Sequence, residues 1–128
     1  MADSLKFTRD HLWLRVEGLH AHVGISEQAQ ADLGEIIAAE LPDVGDAVEK
    51  GQSFGELESV KTVSELIAPV TGQVVATNTD LDDHPNIVNE DPYHEGWLIE
   101  IELADETELD PLLEADEYDA LMSGEEEA

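Results

Sequence analysis

The sequence predicts a single, mainly β domain, and three observations carry that expectation. Runs of alternating apolar and polar residues recur along the chain, a Pro-x-x-Gly-x-x-Val frame occurs twice, and the helical patterns are short. In the first run Leu12, Leu14 and Val16 alternate with Trp13, Arg15 and Glu17; Gly18 interrupts, and Leu19, Ala21, Val23 and Ile25 resume the alternation, which is a hairpin pattern. Ser26 as N-cap, Glu27 in the first turn and Gly34 as a stop predict a short helix over 27–33. Residues 35–41 then read as a strand. The repeated frame occupies 42–48 and 69–75, each copy a turn feeding a strand, with Pro fixing one backbone angle and Gly tolerating positive φ. Two like units on either side of Lys61 suggest a pseudo-symmetric β fold. Residues 78–85 are polar and turn-rich, with room for one helical turn, and 96–103 return to alternation with Trp97, Ile99, Ile101 and Leu103 on one face. Asp110 and Pro111 predict a capped C-terminal helix over about 111–123, with Leu113, Glu117, Ala120 and Leu121 on one side. Gly124 ends it and opens an acidic tail over 124–128. No linker interrupts the chain, so residues 1–128 read as one domain with its core over about 7–103.

At 128 residues, 41% of them hydrophobic, the chain can bury a sizeable core and is not a disordered acidic polypeptide. Its 32 acidic residues against 5 basic ones give a net charge of −27, which excludes nucleic acid and anionic membrane surfaces as partners by repulsion. Partners must be neutral or basic where they touch it. Such a charge opposes compaction unless salt screens it, over about 10 Å at 0.1 M and about 3 Å at 1 M. The composition therefore reads as adaptation to a salt-rich cytoplasm, the alternative being a merely acidic surface at low salt. The chain has no cysteine, which excludes disulfides and thiolate metal sites. No apolar run reaches the roughly 20 residues of a membrane span. The opening Met1-Ala2-Asp3-Ser4 lacks the basic start of a targeting segment, so the expectation is a soluble, cytoplasmic protein.

Of the lysines Lys6, Lys50 and Lys61, only Lys61 falls between two strand-like segments, closing Glu58-Ser59-Val60-Lys61 and preceding Ala68-Pro69-Val70-Thr71-Gly72. A chain so poor in lysine that keeps one there points to a use for its amine. The ordinary alternative is a solvated surface lysine. Among the histidines His11, His20, His22, His84 and His94, only His20 and His22 share a strand face, and no further ligand accompanies them, so no metal site is expected. Gly51 and Gly55 have no P-loop lysine after them, and no Ser/His/Asp order stands out.

Several segments in one order carry a resemblance: Asp10-His11-Leu12-Trp13, Val23-Gly24-Ile25-Ser26, Glu40-Leu41-Pro42-Asp43-Val44-Gly45, the Lys61 motif, and 86–97 with Asn89, Pro92-Tyr93 and Gly96-Trp97. From about Phe7 to Leu103 the chain resembles the H protein of the glycine cleavage system. Biotin carriers flank their lysine with methionines and lipoyl domains of 2-oxo-acid dehydrogenases commonly place Asp before it; here the neighbours are Val60 and Thr62. The resemblance implies a flattened two-sheet barrel-sandwich of the lipoyl/biotinyl carrier type, with short flanking helices and Lys61 on a hairpin. It implies lipoic acid in amide linkage on Lys61, with Glu58, Ser59 and Val60 read by the lipoate ligase or lipoyl/octanoyl transferase and Glu56 and Glu65 contributing charge. The implied role is non-catalytic: to carry the aminomethyl group from the pyridoxal-phosphate glycine decarboxylase (P protein) to the aminomethyltransferase (T protein), and reducing equivalents to dihydrolipoyl dehydrogenase (L protein). The absence of thiols suits a dithiol cofactor, which would otherwise form mixed disulfides. The family's common His-Glu-Trp is His11-Leu12-Trp13 here, and Asp32 stands where some members carry histidine, so Asp10, Asp32 and Glu65 are the remaining candidates to dock the arm. The alternatives are a lipoyl donor in a protein-to-protein lipoate relay, which needs the same lysine, and an unmodified acidic interaction module.

Overall fold

The structure is a computed structural model that describes residues 5–8, 11–93, 95–104, 106–109, 112–114 and 117–118. Strands β1 (Leu5–Phe7), β2 (Leu12–Glu17), β3 (His20–Ile25), β5 (Ala47–Val48), β8 (Gly72–Thr77), β9 (Ile99–Leu103) and β10 (Leu113–Glu114) form one antiparallel sheet in the order β10-β1-β2-β3-β9-β8-β5. The second sheet is β4-β6-β7, built from β4 (Ile36–Glu40), β6 (Ser53–Ser59) and β7 (Val63–Ile67). Leu14, Val23, Val74 and Ile101 from the larger sheet and Ile36, Leu57 and Leu66 from the smaller one belong to a single buried cluster, the core of a sandwich rather than of a closed barrel.

The alternation that predicts the β2-β3 hairpin is realised with Leu14 opposite Val23 and Val16 opposite Ala21. The opposite face of β2 is not solvated where the alternation puts Trp13, which is fully buried. Trp13 anchors a second cluster with Phe7 and Tyr118, donates its indole N–H to the Pro92 carbonyl at 2.8 Å, and lies so close on Gly24 that a Cβ there would come within 2.6 Å of its ring. On β9, Ile99, Ile101 and Leu103 are buried as the pattern requires, but Trp97 precedes the strand, is only half-buried, and meets the His22 ring edge-on at 5.2 Å.

The two copies of the repeated frame pair with each other, Ala47 opposite Gln73 and Val48 opposite Gly72, extended by Gly45 N–H to the Val74 carbonyl at 2.8 Å. Gly45 has the positive φ its turn predicts, at 99°. Gly72 does not. Its requirement is closeness, since a Cβ would lie 2.2 Å from the Glu102 carbonyl oxygen.

Helix α1 (Glu27–Leu33) is capped as the sequence predicts: Ser26 Oγ accepts from the Ala29 N–H at 3.2 Å, and Gly34, at φ 82°, donates to the Gln30 carbonyl at 2.9 Å. The expected single turn within 78–85 is α2 (Asp80–Asp83), and a further short helix, α3 (Ile87–Glu90), follows it. The start of the predicted C-terminal helix is instead strand: Leu113 pairs with Phe7 and Glu114 with Lys6, reinforced by a Lys6–Glu114 ion pair. The open edge of β1 supplies unpaired backbone groups, and satisfying them overrides local helix propensity. Glu117 and Tyr118 are helical, Tyr118 stacking on Phe7 at 4.6 Å, while residues 111, 115–116, 119–123 and the tail lie outside the described residues.

Candidate functional site

Residues 59–62 form the tip of the hairpin between β6 and β7, beyond the last cross-strand pair, Glu58 with Val63. Ser59 closes the tip. Its N–H donates to the Thr62 carbonyl at 2.8 Å, and its Oγ donates to that carbonyl at 3.2 Å while accepting from the N–H groups of Lys61 and Thr62 at 3.1 Å each. The tip is tied sideways by the Val60 N–H, which donates to the Glu35 carbonyl at 3.0 Å. Lys61 projects from this fixed turn as an exposed side chain between two exposed apolar residues, Val60 (60%) and Val63 (54%). Its methylenes run over Gly34: a Cβ at that position would stand 3.2 Å from Lys61 Cε and 4.0 Å from Nζ.

Next to Gly34 begins a cavity of about 160 Å³, with Leu33, Asp32 and Ala29 of α1 on one side, Ser64 to Ile67 of β7 on the other, and His11, Leu12 and Ile25 behind. The structure thus brings Asp32 and Glu65, both exposed, to one cavity between α1 and the strand that follows the Lys61 tip, while Asp10 lies outside the described residues. Leu12 is buried where the family's carboxylate commonly stands. Of the residues in the lysine motif, Glu58 and Val60 are exposed, whereas Ser59 is 5% exposed and wholly engaged in the turn. Glu56 stands opposite Glu65 on one side and Glu40 on the other, so these carboxylates form a row across the smaller sheet.

One cavity residue has no role in the sequence reading. His11 takes a left-handed backbone, φ 69°, and its Nδ1 is 2.9 Å from the Tyr118 hydroxyl, which is in turn 2.7 Å from Ser26 Oγ. No local signal connects residues this far apart in sequence. His20 and His22 both face Glu100, at 2.9 and 3.5 Å. Among the described residues no group of three or more His, Cys, Asp or Glu is placed to hold a metal ion, and no helix is long and apolar enough to cross a membrane.

A β sandwich that holds an exposed lysine on a pinned hairpin tip, with a small cavity of mixed polarity between α1 and β7, is the arrangement of a carrier domain. The comparisons with known proteins give the family. The family model described as Glycine cleavage H-protein matches residues 5–125, and the chain belongs to that family. It is 50% identical to the glycine cleavage system H protein of Brevibacillus brevis over 119 residues, covering 93% of this chain and 94% of that one. Against the H protein of Halalkalibacterium halodurans it is 48% identical over 125 residues, 98% of each chain. The crystal structure of a glycine cleavage system H protein from Mycobacterium marinum superposes with a TM-score of 0.85 at 38% identity, covering 97% of this chain and 99% of that one. Membership makes the chain a non-catalytic carrier.

Proposed function

We propose that Lys61 carries lipoic acid in amide linkage, and that the chain serves as the mobile carrier between the glycine decarboxylase, the aminomethyltransferase and dihydrolipoyl dehydrogenase in the cytoplasm. The observation that carries this reading is the placement of Lys61, an exposed amine on a hairpin tip pinned by Ser59 and Glu35. When bound, the lipoyl group supplies a dithiolane that takes up the aminomethyl group and reducing equivalents.

The residues present fit such a group. Val60 and Val63 flank the amine with apolar surface, and the cavity lined by Leu12, Ala29 and Leu33 can shelter an aliphatic arm from water, with Asp32 and Glu65 able to accept hydrogen bonds from a loaded amine. Asp10 completes the proposed docking set. Tethering is the chain's own contribution, because it holds the carried group at high local concentration before each partner enzyme. For the lipoate ligase or lipoyl/octanoyl transferase, Glu58 and Val60 are the accessible recognition groups. Ser59 acts by shaping the turn they stand on.

Intact mass and a peptide map of the native chain test the proposal. One lipoyl adduct should appear, on the peptide containing Lys61, and Lys61→Arg should abolish it. An adduct on Lys6 or Lys50, or carrier activity retained in the variant, overturns the assignment.

A further inference from the structure

The segment 86–97 is prominent in the sequence yet none of its described residues lines the cavity. Its contacts give it another purpose. The side chain of Asn89, at the C-terminal end of α3, makes hydrogen bonds with both its oxygen and its nitrogen: Oδ1 accepts from the Ile36 N–H at 2.8 Å, and Nδ2 donates to the Gly34 carbonyl at 2.7 Å and to Gln30 Oε1 at 3.0 Å. These partners bracket Glu35, whose carbonyl receives the Val60 N–H of the hairpin tip, and they fix Gly34, over which the Lys61 stem lies. At the other end of α1 the Tyr93 hydroxyl accepts from the Glu27 N–H at 2.9 Å. The five residues from Asn89 to Tyr93 therefore grip both ends of the helix that lines the cavity and meets the Lys61 stem at its C-terminal end.

We propose that Asn89 is a positioning residue for Lys61: through Gly34 and Glu35 it sets the direction in which the amine leaves the protein, and Tyr93 holds the far end of the same support. This rests on the carrier reading for its purpose but not for its geometry, so the two are tested apart. Hydrogen bonds of this kind limit local opening, and losing one raises the open population by about fivefold or more.

The experiment uses the full chain without lipoate and compares Asn89→Ala and the isosteric Asn89→Asp, which keeps the acceptor for Ile36 but leaves the Gly34 carbonyl without its donor. Native-state hydrogen exchange is read at the Val60 amide, with Ile101 in the core as the internal reference. The amine is read by the acetylation rate of Lys61 with an activated acetate ester, relative to Lys50 in the same molecule. Faster exchange at Val60 without change at Ile101, and an altered Lys61/Lys50 ratio, are expected in both variants. If Val60 and Ile101 rise together, or the ratio equals that of the parent, Asn89 is only a general stabiliser and the proposal fails. Should Asn89→Ala prove unfolded, Asn89→Asp decides alone. Absence of lipoate from Lys61 in the native protein would overturn the carrier reading and leave both of these measurements intact.

Discussion

Ser59 shows how much of a functional residue's work is hidden from its local sequence. The motif Glu58-Ser59-Val60-Lys61 is legible because the lysine and its neighbours are contiguous, and the contiguity suggests that all of them face a modifying enzyme. Burial divides them. Ser59 turns inward and supplies the acceptor for two backbone N–H groups of the tip, which is why a small hydroxyl residue stands there. Replacing it with Ala removes that acceptor, and the expected cost is about 1–3 kcal/mol, measured by urea unfolding of the unmodified chain. Ser59→Thr should recover part of that stability, because its hydroxyl can reach the same groups. If Ser59→Ala unfolds at the same urea concentration as the parent, water replaces the hydroxyl and the turn does not depend on it. The link from His11 to Tyr118 is illegible for a different reason: only the pairing of β10 with β1 brings the C-terminal segment against the start of β2. At the cavity, Asp32→Asn and Glu65→Gln test the proposed docking set. Each should hasten loss of the aminomethyl group from the isolated loaded protein while leaving lipoylation of Lys61 unchanged, and decay at the parental rate in both would remove these carboxylates from the set.

Among the secondary-structure elements, patterns satisfied by their own local signals are read well, and those decided by a tertiary partner are not. The β2-β3 hairpin and α1 satisfy local rules that hold whatever surrounds them, namely alternation about a glycine turn and a serine cap with a glycine stop. α3 has only four residues, too few for a periodicity, and it exists because Asn89 and its neighbours are held by α1 and β4. At Leu113–Glu114 a helix signal and a strand edge compete, and the edge wins because β1 would otherwise present unpaired backbone. The repeated frame is a subtler case, since the same glycine in the same frame answers two demands. Gly45 sits in a turn with open space around its Cα and needs only its positive φ, so Gly45→Asn should cost the backbone strain alone, about 1 kcal/mol. Gly72 is pressed against the β9 backbone, so Gly72→Ala must push β8 from β9 and should cost about 1–3 kcal/mol or more. Chemical denaturation of the two variants checks the ordering, and equal costs would mean that β8 and β9 part more easily than their close contact implies.

For the whole molecule the governing quantity is charge, which composition states outright but does not locate. The Lys6–Glu114 ion pair and the contacts of His20 and His22 with Glu100 engage few of the 32 carboxyl side chains, and Glu40, Glu56 and Glu65 stand directly opposite one another across β4, β6 and β7. Like charges in direct cross-strand register oppose pairing by about 0.2–1 kcal/mol per pair, and these strands also carry the hairpin that presents Lys61. Screening should relieve both the local row and the net charge of −27, so the thermal midpoint is expected to rise from dilute buffer to molar salt. The row can be separated from the total by Glu56→Gln, which removes the middle charge while changing the net charge by only one. That variant should be more stable than the parent in dilute buffer and indistinguishable from it in molar salt. A parental midpoint that does not move with salt would exclude self-repulsion as a governing term. A Glu56→Gln gain that persists in molar salt would instead place the effect in packing or hydrogen bonding on the smaller sheet, because only the Coulomb part is removed by screening.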